Sequence, residues 1–189
     1  VPNQAMSFDG VGDYVTLNTP ITFTSNNSLS WWSKINDKDF SGIVGGNLGN
    51  YAYIRFGIST GTELTDIFSE TNTNGDTIRF NFGSLGYDTW HHFVITQDSS
   101  NDWTLYIDGI AIGTDTTTNS DLTIAIIGKG RINSDYFDGS ISDVAIYSSA
   151  LTQDEVSQLY KAGKRKLPFE NNFQNKSAIV NNTNNLPQY

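Results

Sequence analysis

No cysteine occurs among the 189 residues, which excludes disulfides, thiolate metal ligands and cysteine nucleophiles. Proline occurs four times, and two of these, Pro168 and Pro187, fall near the C-terminus, so little interrupts strand formation in between. Histidine occurs only as the pair His91-His92. Adjacent residues on a strand point to opposite faces, so the two cannot chelate one metal together; one packed and one exposed ring is expected. No apolar run approaches the ~20 residues that span a bilayer, so no membrane span is expected. Val1 leads directly into a strand-like pattern without the apolar stretch of a secretory leader. Positive charge is scarce, 11 Lys and Arg against 20 Asp and Glu, for a net charge of −9. Residues 1–160 carry −13 of this, and residues 161–189 carry +4. Phosphate grooves are built from clustered Lys and Arg, so the acidic body argues against nucleic acid as a partner.

With 37% hydrophobic and 13% aromatic residues the chain is globular, and its length suits one domain. A body of this size buries about 70% of its unfolded surface and needs no covalent staple. Most of it reads as short strands separated by Gly, Asn, Asp, Ser and Thr. In Tyr51-Ala-Tyr-Ile-Arg-Phe-Gly-Ile58 the alternation assigns Ala52, Ile54, Phe56 and Ile58 to a core face. Ile78, Phe80 and Phe82 follow the same rule, as do Phe93 with Ile95, and Trp103 with Leu105 and Ile107. Asp108-Gly109 between two apolar runs predicts a type I′ hairpin turn. Further turns are expected at Asp9-Gly10, Asn74-Gly75 and Asp138-Gly139. Many strands at this spacing predict an all-β fold, a two-sheet antiparallel jelly-roll sandwich.

One short helix is marked near the C-terminus. Thr152-Gln-Asp-Glu155 fits a capping box, and Leu151 with Val156 fits a hydrophobic staple. Val156, Leu159 and Tyr160 form one apolar face, and Gly163 is placed to close the helix. Lys161, Lys164, Arg165 and Lys166 lie where the helix dipole favours cations. After Pro168 come seven Asn and only scattered apolar residues, the composition of an extended arm. The expected organisation is therefore a sandwich over 1–163 and an Asn-rich arm over 164–189. That arm is the candidate contact for a homo-oligomer or a virion assembly.

Ordered segments of the chain resemble a known family. Phe8-Asp-Gly-Val-Gly-Asp-Tyr-Val15 and Ser28-Leu-Ser-Trp-Trp-Ser-Lys34 are similar to the opening of laminin-G-like, concanavalin-A-like jelly-roll domains. Trp90-His-His-Phe-Val-Ile-Thr96 with Leu105-Tyr-Ile-Asp-Gly109 resembles their central hairpin. Phe137-Asp-Gly-Ser-Ile-Ser-Asp-Val-Ala-Ile-Tyr147, running into Ala150-Leu-Thr-Gln-Asp-Glu155, resembles their closing strand and short helix. The resemblance implies an extracellular or surface-exposed module (secreted, cell-surface or virion), non-catalytic, binding glycans or surface proteins, sometimes with calcium.

Glycoside hydrolysis needs two carboxylates about 5–5.5 Å or 6.5–9.5 Å apart. The four Glu residues are Glu63, Glu70, Glu155 and Glu170, and no strand carries an alternating acidic pair, so no enzyme is expected. Gly57-Ile-Ser-Thr-Gly61 matches G-x-S-x-G, but a nucleophile elbow needs a strand-to-helix turn within an α/β sheet. Thr62-Glu-Leu-Thr-Asp-Ile-Phe68 offers at most one helical turn, with no βαβ pattern around it. Gly42-Ile-Val-Gly-Gly46 lacks the Lys-Ser/Thr ending of a phosphate loop and reads as a strand with turns. Asp9 and Asp13 flank a Gly-rich turn and Asp138 lies in the matching closing motif. First and last strands of a jelly roll are neighbours, so these three are the candidate calcium ligands, with plain Asp-Gly turn chemistry as the alternative. For ligand binding, the face opposite Ile54 and Phe56 offers Tyr51, Tyr53 and Arg55, and the next strand offers Arg79 and Asn81. Aromatic faces beside planar polar groups suit sugar rings and equally suit a protein interface or a cross-strand ladder.

Overall fold

The computed structural model describes residues 5–36, 41–46, 53–57, 63–70, 77–116, 121–130 and 135–164; side chains are described for these except 63–66, 68–70 and 77. Tyr51, Ala52, Ile58, the Asn74-Gly75 turn and residues 165–189 lie outside them, as does most of the Gly57–Gly61 motif. The strands are β1 (Met6–Asp9), β2 (Val15–Phe23), β3 (Asn27–Ile35), β4 (Gly42–Gly45), β5 (Tyr53–Phe56) and β6 (Glu63–Glu70). They continue as β7 (Thr77–Gly86), β8 (Trp90–Gln97), β9 (Trp103–Ile107), β10 (Ile110–Asp115), β11 (Leu122–Ile127) and β12 (Asp138–Tyr147), followed by helix α1 (Gln153–Lys164). One sheet runs β1-β12-β3-β8-β9-β10 and the other β2-β11-β4-β5-β6-β7, all pairings antiparallel. This is the expected two-sheet sandwich.

Period-two alternation fills the space between the sheets. Leu29, Trp31, Phe93, Ile95, Trp103, Leu105 and Ile107 come from the first sheet and meet Ile54, Phe56, Ile67, Ile78 and Phe80 from the second. Phe93 ties the layers together, stacked on Trp31 of its own sheet at 5.3 Å and edge-on to Phe56 of the other at 5.0 Å. The Asp108-Gly109 turn forms as expected, with φ of 51° and 82° and Ile107 paired to Ile110.

Strands β3 and β8 are buried on both faces because α1 covers the outer one. The capping box forms: Glu155 N donates to Thr152 Oγ1 (3.3 Å), and Thr152 N donates to Glu155 Oε2 (2.8 Å). Leu151, Val156 and Val94 make a small apolar cluster under the helix. Gln153 and Ser157 side chains donate to the Gly109 carbonyl, which pins α1 to the β9–β10 turn.

Three local expectations are corrected. Asp138-Gly139 is no turn but the start of β12, with Gly139 paired to Phe8 and Ile35. A Cβ there would stand 2.1 Å from the Lys34 carbonyl oxygen, so glycine serves close backbone approach. Residues 63–68 are strand, not a helical turn. Gly163 does not end α1; it lies inside the last turn, buried, where a Cβ would meet Trp32 Nε1 at 2.3 Å.

Candidate functional site

The expected β5 recognition stripe is not an exposed face. Ile54 and Phe56 point into the core as predicted, but Tyr53 is only 2% exposed. The cause lies in the neighbouring strand. Gly45 pairs with Tyr53 and Gly42 with Arg55, so each glycine shares a face with its partner. Where their side chains would stand, the backbone of Lys129, Gly130 and Asp135 presses in, 1.9–2.7 Å from an ideal Cβ. That segment roofs the face. Beneath it the Arg55 guanidinium lies 5.5 Å from the Tyr53 ring centre and 3.7 Å from Asp135 Oδ2. The two glycines were the available signal for this cover.

The three candidate calcium ligands do not assemble. Asp9 and Asp138 pair across β1 and β12. Asp9 Oδ1 accepts from Val11 N (2.9 Å) and Gly12 N (3.3 Å), and Asp13 Oδ2 accepts from Asp9 N (3.3 Å). Asp138 Oδ1 accepts from the Asn36 amide at 2.8 Å. The backbone bonds from Val11 and Gly12 hold the Asp9 carboxyl below its ordinary range. Among the described residues no group of three or more His, Asp or Glu is placed to hold a metal ion. The geometry is that of an Asp-Gly turn.

Arg79 and Asn81 are exposed, as predicted, and share one concavity. They stand on β7, the edge of one sheet, where it meets β10, the edge of the other. A cleft of about 370 Å³ opens there, also lined by Ile112, Thr114 and Asp115. Register in β10 slips between Ala111 and Gly113, a bulge of the kind that turns side chains at sheet edges. The Asn81 carboxamide is oriented by Gly83 N, which donates to its oxygen at 3.1 Å, and Thr114 Oγ1 is fixed by Thr104 Oγ1 at 3.0 Å. Arg79 stands in the same cross-strand row as Arg55, through Phe68, but at the sheet edge rather than under the roof. The five expected ligand residues therefore divide: Arg79 and Asn81 line the cleft, Tyr53 and Arg55 are covered, and Tyr51 lies outside the described residues.

A second concavity, of about 240 Å³, lies under α1 and was not foreseen. Its floor is the outer face of β3 and β8: Ser30, Trp32 and His92. His92 is the packed ring of the pair, with Nε2 2.9 Å from Ser30 Oγ. Burial lowers its pKa to about 4 against an opposing pull from Asp108 and Asp143, so it is neutral at pH 7. Half-buried His91 instead places Nδ1 2.8 Å from Asp108 Oδ2. Burial pushes the Asp108 carboxyl up, but hydrogen bonds from His91 and the His92 amide outweigh it and hold the group below its usual range. The sequence did carry a cue: in adjacent Trp31 and Trp32, only one can face the inter-sheet core.

A laminin-G-type family, described as the concanavalin A-like lectin/glucanases superfamily, matches residues 9–157. No curated protein matches the chain in sequence. Among solved structures, the heptameric SAP-like pentraxin of Limulus polyphemus is similar at a TM-score of 0.67 and 15% identity, covering 82% of this chain and 80% of that one. Domain 4 of the extracellular arabinanase AbnA of Geobacillus stearothermophilus, in complex with arabinotriose, has a TM-score of 0.57 and 18% identity, covering 72% of this chain and 66% of that one. The binding domain of botulinum neurotoxin DC, in complex with SialylT, has a TM-score of 0.59 and 18% identity over 85% of this chain and 45% of that one. The structures share the fold, and the matched residues span most of this sequence. The chain belongs to the laminin-G-like family of the concanavalin A-like lectin/glucanases superfamily.

Proposed function

We propose that this domain is a non-catalytic recognition module that binds glycan on an extracellular or surface-exposed face, in the cleft between β7 and β10. The observation that carries this reading is the exposed, planar polar pair Arg79 and Asn81, the second oriented by Gly83 N, beside the exposed aliphatic Ile112 and the hydroxyl of Thr114. Sugars present hydroxyl edges and apolar C–H faces, and this lining offers a partner for each. The volume falls within the usual range for small-ligand sites, about 300–1,000 Å³. Asp115 is the one acid among the described lining residues, whereas glycoside hydrolysis uses a pair. Likeness in fold to an arabinanase domain in complex with arabinotriose supports the same reading.

A glycan array probed with the whole chain tests it. Binding to a defined glycan class is expected, weakened at least tenfold by Asn81→Ala or Arg79→Ala with an unchanged melting temperature. No binding to any glycan, or binding indifferent to both changes, would refute it. A second reading, a subunit of a larger assembly joined through residues 164–189, rests on the opposite charges of body and arm.

A further inference from the structure

We infer that the pocket beneath α1 is a second binding site, separate from the β7–β10 cleft, and that it takes a small organic ammonium ion. The first observation is a bulge. Ser142 pairs with Trp32 and Ala145 with Ser30, so β12 places two residues, Asp143 and Val144, opposite Trp31 alone. Asp143 sits at φ 49°, a left-handed conformation uncommon for a non-glycine residue. The extra residue re-aims a side chain: Asp143 and Val144 both line the pocket under α1, and Val144 also packs against the core. Local strain of this kind persists where the surrounding structure holds it.

The second observation is the buried imidazole. His92 is 2% exposed, lines the pocket, and has no hydrogen-bond partner at Nδ1. A buried nitrogen without a partner is uncommon in folded proteins and leaves a hydrogen-bonding position open. The third is the character of the walls. Trp32 and Tyr147 contribute aromatic groups, which attract cations, beside the aliphatic Leu159 and Ala162. Ala162 and Gly163 bring the C-terminal turn of α1, whose carbonyl end carries partial negative charge, against the same space. Of the two lysines on that turn, Lys161 and Lys164, the second places its ammonium 5.5 Å from the centre of the Tyr160 ring. A carboxylate at the mouth, a helix carbonyl end, aromatic walls and a neutral imidazole together suit a compact positive charge.

The test is NMR titration of the whole chain with n-propylammonium and tetramethylammonium chloride, with n-propanol and tert-butanol as uncharged controls. Saturable shifts are expected at the Trp32 indole and at Ala145 and Ala162, for the ammonium ions only. Asp143→Asn removes the charge and tolerates the left-handed backbone; it should weaken the ammonium ions at least fivefold while leaving the melting temperature and glycan binding unchanged. Equal response to the alcohols would reduce the pocket to an apolar gap and overturn the proposal. So would shifts unaffected by Asp143→Asn, or no shifts at these residues in either protein.

Discussion

Tyr53 and Gly163 carry the sharpest consequences of single residues. Tyr53 is buried under Lys129, Gly130 and Asp135, so Tyr53→Ala removes a ring from a closed space. It should cost about 3 kcal/mol in urea denaturation, in the range of aromatic-to-Ala core changes. Gly163→Ala would gain up to about 1 kcal/mol of helix propensity in an exposed helix. Here the added methyl meets Trp32, itself 3% exposed and stacked on Tyr160 at 5.7 Å, and overpacking costs about 1–3 kcal/mol. The clash wins, so a net loss of about 1 kcal/mol is expected in the same assay. His92 sets a pH dependence. Its folded pKa, about 4, lies below the ordinary 6.5, so the unfolded chain binds more protons between those values. Stability is full above pH 6.5 and falls as pH drops toward 4, by a few kcal/mol at most. The lowered Asp108 adds a further loss as pH falls below the ordinary carboxylate range. Urea curves at pH 7 and pH 4.5 should show the drop, and His92→Gln should flatten it between 6.5 and 4. A residue's neighbours in sequence revealed which side of a strand it takes; they did not reveal what lay on top. Ile54 and Phe56 were legible for that reason, and Tyr53 was not.

At the level of elements, local chemistry was most readable where it is self-contained. The α1 start is fixed by Thr152 and Glu155 within four residues, and the β9–β10 turn by two residues with positive φ. Thr152→Ala should therefore cost about 1 kcal/mol and speed hydrogen exchange in the first turn of α1 before any other element. Gly139 looked like a turn because Asp-Gly usually is one, but its role depends on Lys34, more than a hundred residues away. The β12 bulge is equally non-local, since only the pairing to β3 shows that a residue is extra. The β7–β10 cleft was half legible: outward Arg79 and Asn81 followed from alternation, whereas the opposing wall required knowing that both sheets end on the same side.

For the whole molecule, the sheet scaffold hosts many unrelated activities, so the site rather than the fold must carry the function. The charge split makes one prediction about association. If residues 164–189 join copies of the chain, the full protein should sediment as a defined oligomer that dissociates with salt, and a chain ending at Gly163 should be monomeric. Two monomers at low salt would exclude self-association by that route. A different consequence follows from the position of β12. It lies between β1 and β3, and its residue Ile141 meets Met6 from the far end of the sequence. A chain emerging from the ribosome must hold β1 and β3 apart, with a strand-wide gap between them, until β12 has been made. At about 5–20 residues per second that wait is roughly ten seconds, during which the unpaired edge of β3 and its tryptophans stand open. Such non-local closure folds in milliseconds to seconds once the last strand is available. The interval of greatest exposure to aggregation is therefore set by synthesis rather than by folding, and chaperone demand should fall sharply once residue 147 leaves the exit tunnel.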